Sequence, residues 1–247
     1  MTRYYYDLHI HSCLSPCADD DMTPNNIAGM AALKGLNILA LTDHNSAKNC
    51  PAFYQACKRQ GIIPIAGMEL STAEDIHLVC LFQELDDAMR FDEEIKKHLY
   101  PIKNRQEIFG RQLILDGEDE VVGEEELLLI SATDLPIKVA LELARRFGAY
   151  VYPAHIDRQS NGILSILGDI PDEYGFNVFE LRDKESIDKL SPTVKRLNKD
   201  TTFVCSDAHQ LWNINEAENY ILIDDEPYSS ELVRKKFFER LEKADLV

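Results

Sequence analysis

The stretch Tyr4-Tyr5-Tyr6-Asp7-Leu8-His9-Ile10-His11 decides how the chain is read. Its first residues favour an extended strand, in which side chains at i and i+2 share a face. His9 and His11 then point the same way and can chelate one ion. Leu8 and Ile10 point oppositely, into apolar packing. Asp7 shares the face of His9 and is placed to fix an imidazole tautomer from behind.

Outward from this stretch the chain alternates. Thr23-Pro24 opens a helix, with Thr as N-cap and Pro at the first position, that runs to about Lys34 and stops at Gly35. Leu36–Thr42 is an apolar run of buried-strand length, and a helix through Phe53, Ala56 and Cys57 ends at Gly61. Ile62–Leu70 and Ile76–Phe82 read as strands. This alternation predicts βαβ units and a parallel sheet. Residues 83–133 read as an insertion: a charged helix over Asp86–Leu99 and a hairpin turning at Asp116-Gly117. The six acids within Gly117–Glu126 form a solvated face. Alternation resumes with a helix capped by Asp134-Leu135-Pro136, strands at Ala149–Tyr152, Asn177–Leu181, Thr201–Cys205 and Tyr220–Ile223, a helix started by Ser191-Pro192, and a C-terminal helix over Ser229–Lys243. Seven or eight strands with helices between them suggest one α/β barrel spanning residues 1–247.

Six of the seven histidines fall beside strand ends. Beyond His9 and His11, Thr42-Asp43-His44, Gly67-Met68-Glu69, Pro153-Ala154-His155 and Ser206-Asp207-Ala208-His209 each close a strand. The C-terminal ends of parallel strands gather on one face, so these residues converge on one mouth. Asp207 and His209 repeat the i, i+2 spacing. His77 begins its strand and needs a curved or edge strand to reach the mouth. His98 reads as a solvated helix residue. A lone histidine after a strand is more often merely hydrogen-bonded; six in this arrangement with carboxylates point to metal. Mixed His and carboxylate donors suit Zn, Mn or Fe, and there are too many for one four-coordinate ion.

The chain has 43 Asp and Glu against 26 Lys and Arg, a formal charge of −17. Without a basic tract this argues against a nucleic-acid polymer and an anionic membrane as partners. No apolar run approaches a membrane span, and the N-terminus has no signal-peptide core, so a cytoplasmic location with mostly reduced cysteines is expected. Oligomeric state is not legible.

Taken together, Asp7-Leu8-His9-Ile10-His11, Thr42-Asp43-His44, Gly67-Met68-Glu69, His77, His155 and Ser206-Asp207-Ala208-His209 resemble the PHP (polymerase and histidinol phosphatase) superfamily of metal-dependent phosphoesterases. The resemblance implies a distorted (β/α)7 TIM-like barrel with two or three divalent ions at its mouth. It implies a first ion on His9, His11, Glu69 and Asp207, and a second on Glu69, His77 and His155. A third would sit on His44, His209 and one further residue. The chain departs from the family pattern there, between Ser15 and Thr23; counting back from Thr23-Pro24 favours Asp19, then Asp20, with Cys17 behind.

The expected activity is hydrolysis of a small phosphomonoester or phosphodiester, a nucleotide or sugar phosphate, by metal-activated hydroxide. Asp207 or His209 would assist proton transfer. Arg158 and Arg182, also at strand ends, are candidates to bind phosphate, with pairing to nearby Asp157 or Asp183 as the alternative. Two other readings are an amidohydrolase-type metal-dependent hydrolase and a catalytically silent accessory or regulatory module.

Overall fold

The computed structural model describes residues 1–244. It contains strands β1 (Thr2–Asp7), β2 (Ile38–Leu41), β3 (Ile63–Ser71), β4 (His77–Phe82), β5 (Leu113–Leu115), β6 (Val121–Glu124), β7 (Tyr150–Pro153), β8 (Phe179–Leu181), β9 (Thr202–Val204) and β10 (Tyr220–Ile223). Six form one curled sheet in the order β10-β1-β2-β3-β4-β7, and β5-β6 and β8-β9 form separate pairs. At the mouth, Ile156 N–H donates to the Glu180 carbonyl at 2.9 Å, and Ile10 bridges Ala208 in parallel. These contacts tie the β8-β9 pair to the ends of β7 and β1.

The sheet is mixed, which corrects the all-parallel expectation. β1, β2 and β3 are parallel, but β4 runs antiparallel to both β3 and β7, and β10 runs antiparallel to β1. The β3–β4 connection spans only residues 72–76, far short of the dozen or so that a parallel crossover needs. This reversal brings the first residue of β4 to the mouth: His77 pairs with Ser71, the last residue of β3.

Both faces of the central strands are buried, so they read as continuous apolar runs. Along β2, Ile38 and Ala40 join one apolar cluster and Leu39 and Leu41 the other. The first cluster gathers Tyr6, Phe203 and Tyr152 and is covered by Phe237 of the Ser230–Lys243 helix. The second lies under the helices Pro24–Leu33, Cys50–Gln60, Leu85–Ile95 and Ile137–Arg146. Leu8 and Ile10 are fully buried but fall in different clusters, because β1 ends at Asp7 and strict alternation ends with it.

One local reading holds and two change. The Thr23 hydroxyl accepts from Asn26 N, as an N-cap does. The Ile137–Arg146 helix is capped in trans: the Glu74 carboxylate accepts from Ile137 N at 2.9 Å, while Asp134 bonds the His98 ring at 2.8 Å. Ser191-Pro192 starts no helix; the helix there is Ser186–Leu190 and ends before it. No helix among the described residues is long and apolar enough to cross a membrane.

Candidate metal centre

Glu69, in β3, is the hub. Its Oε1 lies 2.8 Å from His77 Nδ1, 3.0 Å from His155 Nε2 and 3.3 Å from His9 Nε2. Its Oε2 lies 2.9 Å from His44 Nδ1 and 3.3 Å from His11 Nε2. Asp207 Oδ1 closes the other side, 3.2 Å from His11 Nε2 and 3.5 Å from His9 Nε2. His9, His11, Glu69, His155 and Asp207 are all buried, and His209 stands at the rim. The structure thus gathers side chains from the ends of β1, β2, β3, β7 and β9 and the start of β4.

Among the described residues, three groupings bring donor atoms within 4.8 Å of one another: His9, His11, Glu69 and Asp207; His44, Glu69 and His77; and His11, His44 and His209. The first has the membership expected for one ion. In the second His44 takes the place that was assigned to His155, although His155 also touches Glu69. In the third His11 takes the place assigned to Asp19. Asp19 is held beside His209 by its backbone, donating N–H to the His209 carbonyl at 3.0 Å, but its carboxylate joins no grouping.

The donor set fits divalent ions on two observations. Bonds of 2.0–2.1 Å to one tetrahedral ion place donors about 3.3 Å apart, and His9 Nε2 and His11 Nε2 stand 3.1 Å apart with Glu69 and Asp207 at similar spacing. His44 Nδ1 and Glu69 Oε2 are buried without a hydrogen-bond partner, although only 2.9 Å separates them. They approach without the alignment of a hydrogen bond. Buried polar atoms are normally satisfied, and lone pairs converging in this way are a metal's environment.

The charges respond to this crowding. Burial disfavours a cationic His9, but the Glu180, Glu69 and Asp207 carboxylates overcome it and hold its pKa well above the usual value. His11 rises to about 9, again against burial, through hydrogen bonds and attraction to Asp207 and Glu69. His44 falls to about 4 and His209 to about 3, each chiefly by burial, with the positive His11 adding to it. Glu69 and Asp207 are held well below the carboxylate range; burial opposes this, and the surrounding imidazoles prevail.

The supporting layer was partly missed from sequence. Glu180, in β8, is fully buried; its Oε1 accepts from His9 Nδ1 at 2.8 Å and from His155 N–H at 3.1 Å. It does the work expected of Asp7. Asp7 instead accepts the backbone N–H groups of Ser206 and Asn215, each at 3.0 Å, and so fastens β1 to the loop carrying Asp207. Burial pushes the Asp7 carboxyl up to about 6. The signal for Glu180 was an acid inside Val178-Phe179-Glu180-Leu181, where solvation is impossible. Ser15 is a second unrecognised support: its hydroxyl donates to Asp43 at 2.7 Å and lies 2.9 Å from His11 Nδ1. Arg158 and Arg182 both reach Asp207 Oδ2, at 2.6 and 3.4 Å, rather than pairing with Asp157 or Asp183; Asp157 accepts the backbone N–H groups of Arg182 and Asp183.

Residues 7–158 match the PHP domain family model. That is more than half of the chain. The chain belongs to the PHP domain family. It is 38% identical over 84 residues to a 5'-3' exoribonuclease of Haemophilus influenzae, which covers 33% of this chain and 29% of that protein. It therefore spans under a third of that curated relative. Among solved structures, the lesion-specific endonuclease Q of Pyrococcus furiosus superposes with a TM-score of 0.66 at 19% identity, over 95% of this chain and 55% of that one. Endonuclease Q has also been solved with a 27-mer duplex bearing an abasic lesion at its active site. A candidate metal-dependent phosphoesterase of Bifidobacterium adolescentis superposes with a TM-score of 0.62 at 16% identity, over 95% of this chain and 96% of that one. These structural likenesses establish the fold. That an endonuclease and an exoribonuclease stand among these relatives runs against the expectation of a small phosphorylated substrate with a nucleic-acid polymer as an unlikely partner: net charge says little about the local field at a mouth that carries Arg158 and Arg182.

Proposed function

We propose that this PHP-family chain is a metal-dependent hydrolase that cleaves phosphodiester bonds of a nucleic acid. One observation carries the reading: five imidazoles surround the Glu69 carboxylate, with two arginines on the outer oxygen of Asp207. The endonuclease and exoribonuclease relatives supply the substrate class. The curled sheet and the β8-β9 pair would together make a distorted TIM-like barrel; the contacts at Ile156 and Ile10 support that closure.

His9, His11, Glu69 and Asp207 would hold one divalent ion, Glu69 with His77, His155 and His44 a second, and His44 with His209 a third, His11 or Asp19 completing it. Bound Zn, Mn or Fe would lower the pKa of water to about 7 and offset charge on the phosphate. The chain's own residues do the rest. Glu180 and Ser15 fix the rings of His9 and His11, so both Nε2 atoms face inward. His209 Nδ1 donates to the Asp207 carbonyl at 2.9 Å, which leaves Nε2 with its lone pair free to bind an ion or take a proton. Arg158 and Arg182 are 40% and 44% exposed and each spends one N–H on Asp207. Their remaining N–H groups can take the non-bridging oxygens of a phosphodiester.

The test is hydrolysis of end-labelled RNA and DNA oligonucleotides, single- and double-stranded, by protein loaded with Mn, Zn or Fe. Cleavage is expected, with R158A and R182A each losing about 10- to 100-fold in kcat/KM. Fully metal-loaded protein that leaves every oligonucleotide intact would refute the reading and favour a silent accessory module.

A further inference from the structure

The total charge hides a local exception. Residues 96–111, Lys-Lys-His-Leu-Tyr-Pro-Ile-Lys-Asn-Arg-Gln-Glu-Ile-Phe-Gly-Arg, carry Lys96, Lys97, Lys103, Arg105 and Arg111 against the single acid Glu107. All five cations are exposed, as are Tyr100, Ile102 and Ile108 between them. Lys97 and Arg111 pair with Glu94 and Glu124. Among the described residues Lys96, Lys103 and Arg105 form no ion pair; Arg105 lies over the Phe109 ring, 6.0 Å from its centroid. The acids of the neighbouring run are largely occupied: Glu118 by Arg59, Asp119 by Thr23, Glu124 by Arg111 and Glu125 by Lys48.

This strip leans on the metal centre's mouth. Leu99 and Lys103 bridge Thr133 and Leu127. The stretch they bridge to is fastened to the ligand-bearing strands. Asn45, next to His44, donates its amide to the Leu129 and Ser131 carbonyls at 2.7 and 2.9 Å, and Thr133 N–H donates to Ser71 O at 3.0 Å. At the other end, Leu113 N–H donates to the Cys13 carbonyl at 2.9 Å, and a Cβ on Gly110 would lie 2.6 Å from the Pro16 carbonyl oxygen. That loop also carries Ser15, the partner of His11.

We propose that residues 96–109 are a docking strip for a single-stranded nucleic acid leading to the metal centre. Lys96, Lys103 and Arg105 meet phosphates, and the exposed Tyr100 ring offers a face on which a base stacks. Stacking of this kind needs bases whose faces are open, which a duplex hides. The proposal rests on the nucleic-acid reading above and names where such a chain lies.

The test compares metal-loaded wild type with K96A/K103A/R105A, all three sites being exposed. On a single-stranded 12-mer, KM should rise about 10- to 30-fold with kcat retained. The slope of log kcat/KM against log salt should flatten by about 2, at about 0.7 for each phosphate that is no longer neutralised. Turnover of bis-p-nitrophenyl phosphate should not change. Equal KM and slope in both proteins would overturn the strip while leaving the nuclease reading intact. If wild type cleaves no oligonucleotide, that reading fails, and binding of a fluorescent dT12 decides the strip alone. Binding by wild type that the variant loses supports it. Absence of binding, or stronger binding of a 12-base-pair duplex, overturns it.

Discussion

Replacing Glu180 with glutamine isolates what a fully buried carboxylate does for a neighbouring imidazole. The side chain keeps its length and one carbonyl oxygen, so the acceptor for His9 Nδ1–H and His155 N–H, now at 2.8 and 3.1 Å, is retained. The charge is removed, and an amide NH2 takes the place of the buried, unpartnered Oε2. A hydrogen bond to a charged acceptor contributes about 1.5–3 kcal/mol and a neutral one about half that, so the His9 bond should weaken by about 1–1.5 kcal/mol. That corresponds to about 5- to 12-fold in affinity, at the low end of the 10- to 100-fold typical for groups that support a metal-ligating histidine. Competition titration of Mn or Zn against a chelator measures it directly. E180A should be far worse, because two buried donors lose their acceptor at about 1–3 kcal/mol each, and its thermal unfolding should move accordingly. Wild-type metal affinity in E180Q, with an unchanged melting temperature, would show that the negative charge behind His9 contributes nothing, and the account of that ring's orientation would be wrong.

Three further outcomes are expected. H209A should lower the metal content per chain by one ion, measured by plasma mass spectrometry, while leaving the His9, His11, Glu69 and Asp207 ion in place. G67A should destabilise by about 1–3 kcal/mol in denaturant unfolding, since its Cβ would lie 2.8 Å from Thr42 Cγ2 and 3.1 Å from two backbone oxygens. The third concerns pH. Lys48 holds Glu125 below the usual carboxylate range against burial, so the pair's stabilisation is present above the unfolded value of about 4.3 and is lost as pH falls through the folded one. E125Q should therefore be about 1–2 kcal/mol less stable than wild type at pH 7, and the gap should close as pH drops from 5 to 3; a gap independent of pH would remove Glu125 as its source.

The residues that gather at the mouth were legible because their chemistry shows in sequence: histidines and acids that close apolar runs have few other reasons to be there. What was not legible depended on direction and burial. His77 looked misplaced until the short β3–β4 connection reversed its strand. Glu180 looked like an ordinary acid because periodicity cannot say that both faces of a three-residue strand are covered. Asp7 had the right spacing for His9, yet the backbone N–H groups of Ser206 and Asn215, some two hundred residues away, claim it first. The basic run at 96–111 was visible throughout, but a total of −17 averaged it away.

The register of β3 and β4 sets a timetable for assembly. Glu69 and His77 meet across a hairpin, so that half of the centre needs only local chain closure and can form early. Asp207 must reach back to His9 and His11 across almost two hundred residues. A chain emerging from the ribosome would expose histidines beside an incomplete cage for as long as that stretch takes to synthesise, on the order of ten seconds or more. An ion captured in that interval would meet only donors from the earlier strands, His77 of β4 included, without the Asp207 carboxylate. Asp207, the last carboxylate of the centre to be synthesised, is also the one gripped by Arg158 and Arg182, so the same late step positions both arginines at the rim.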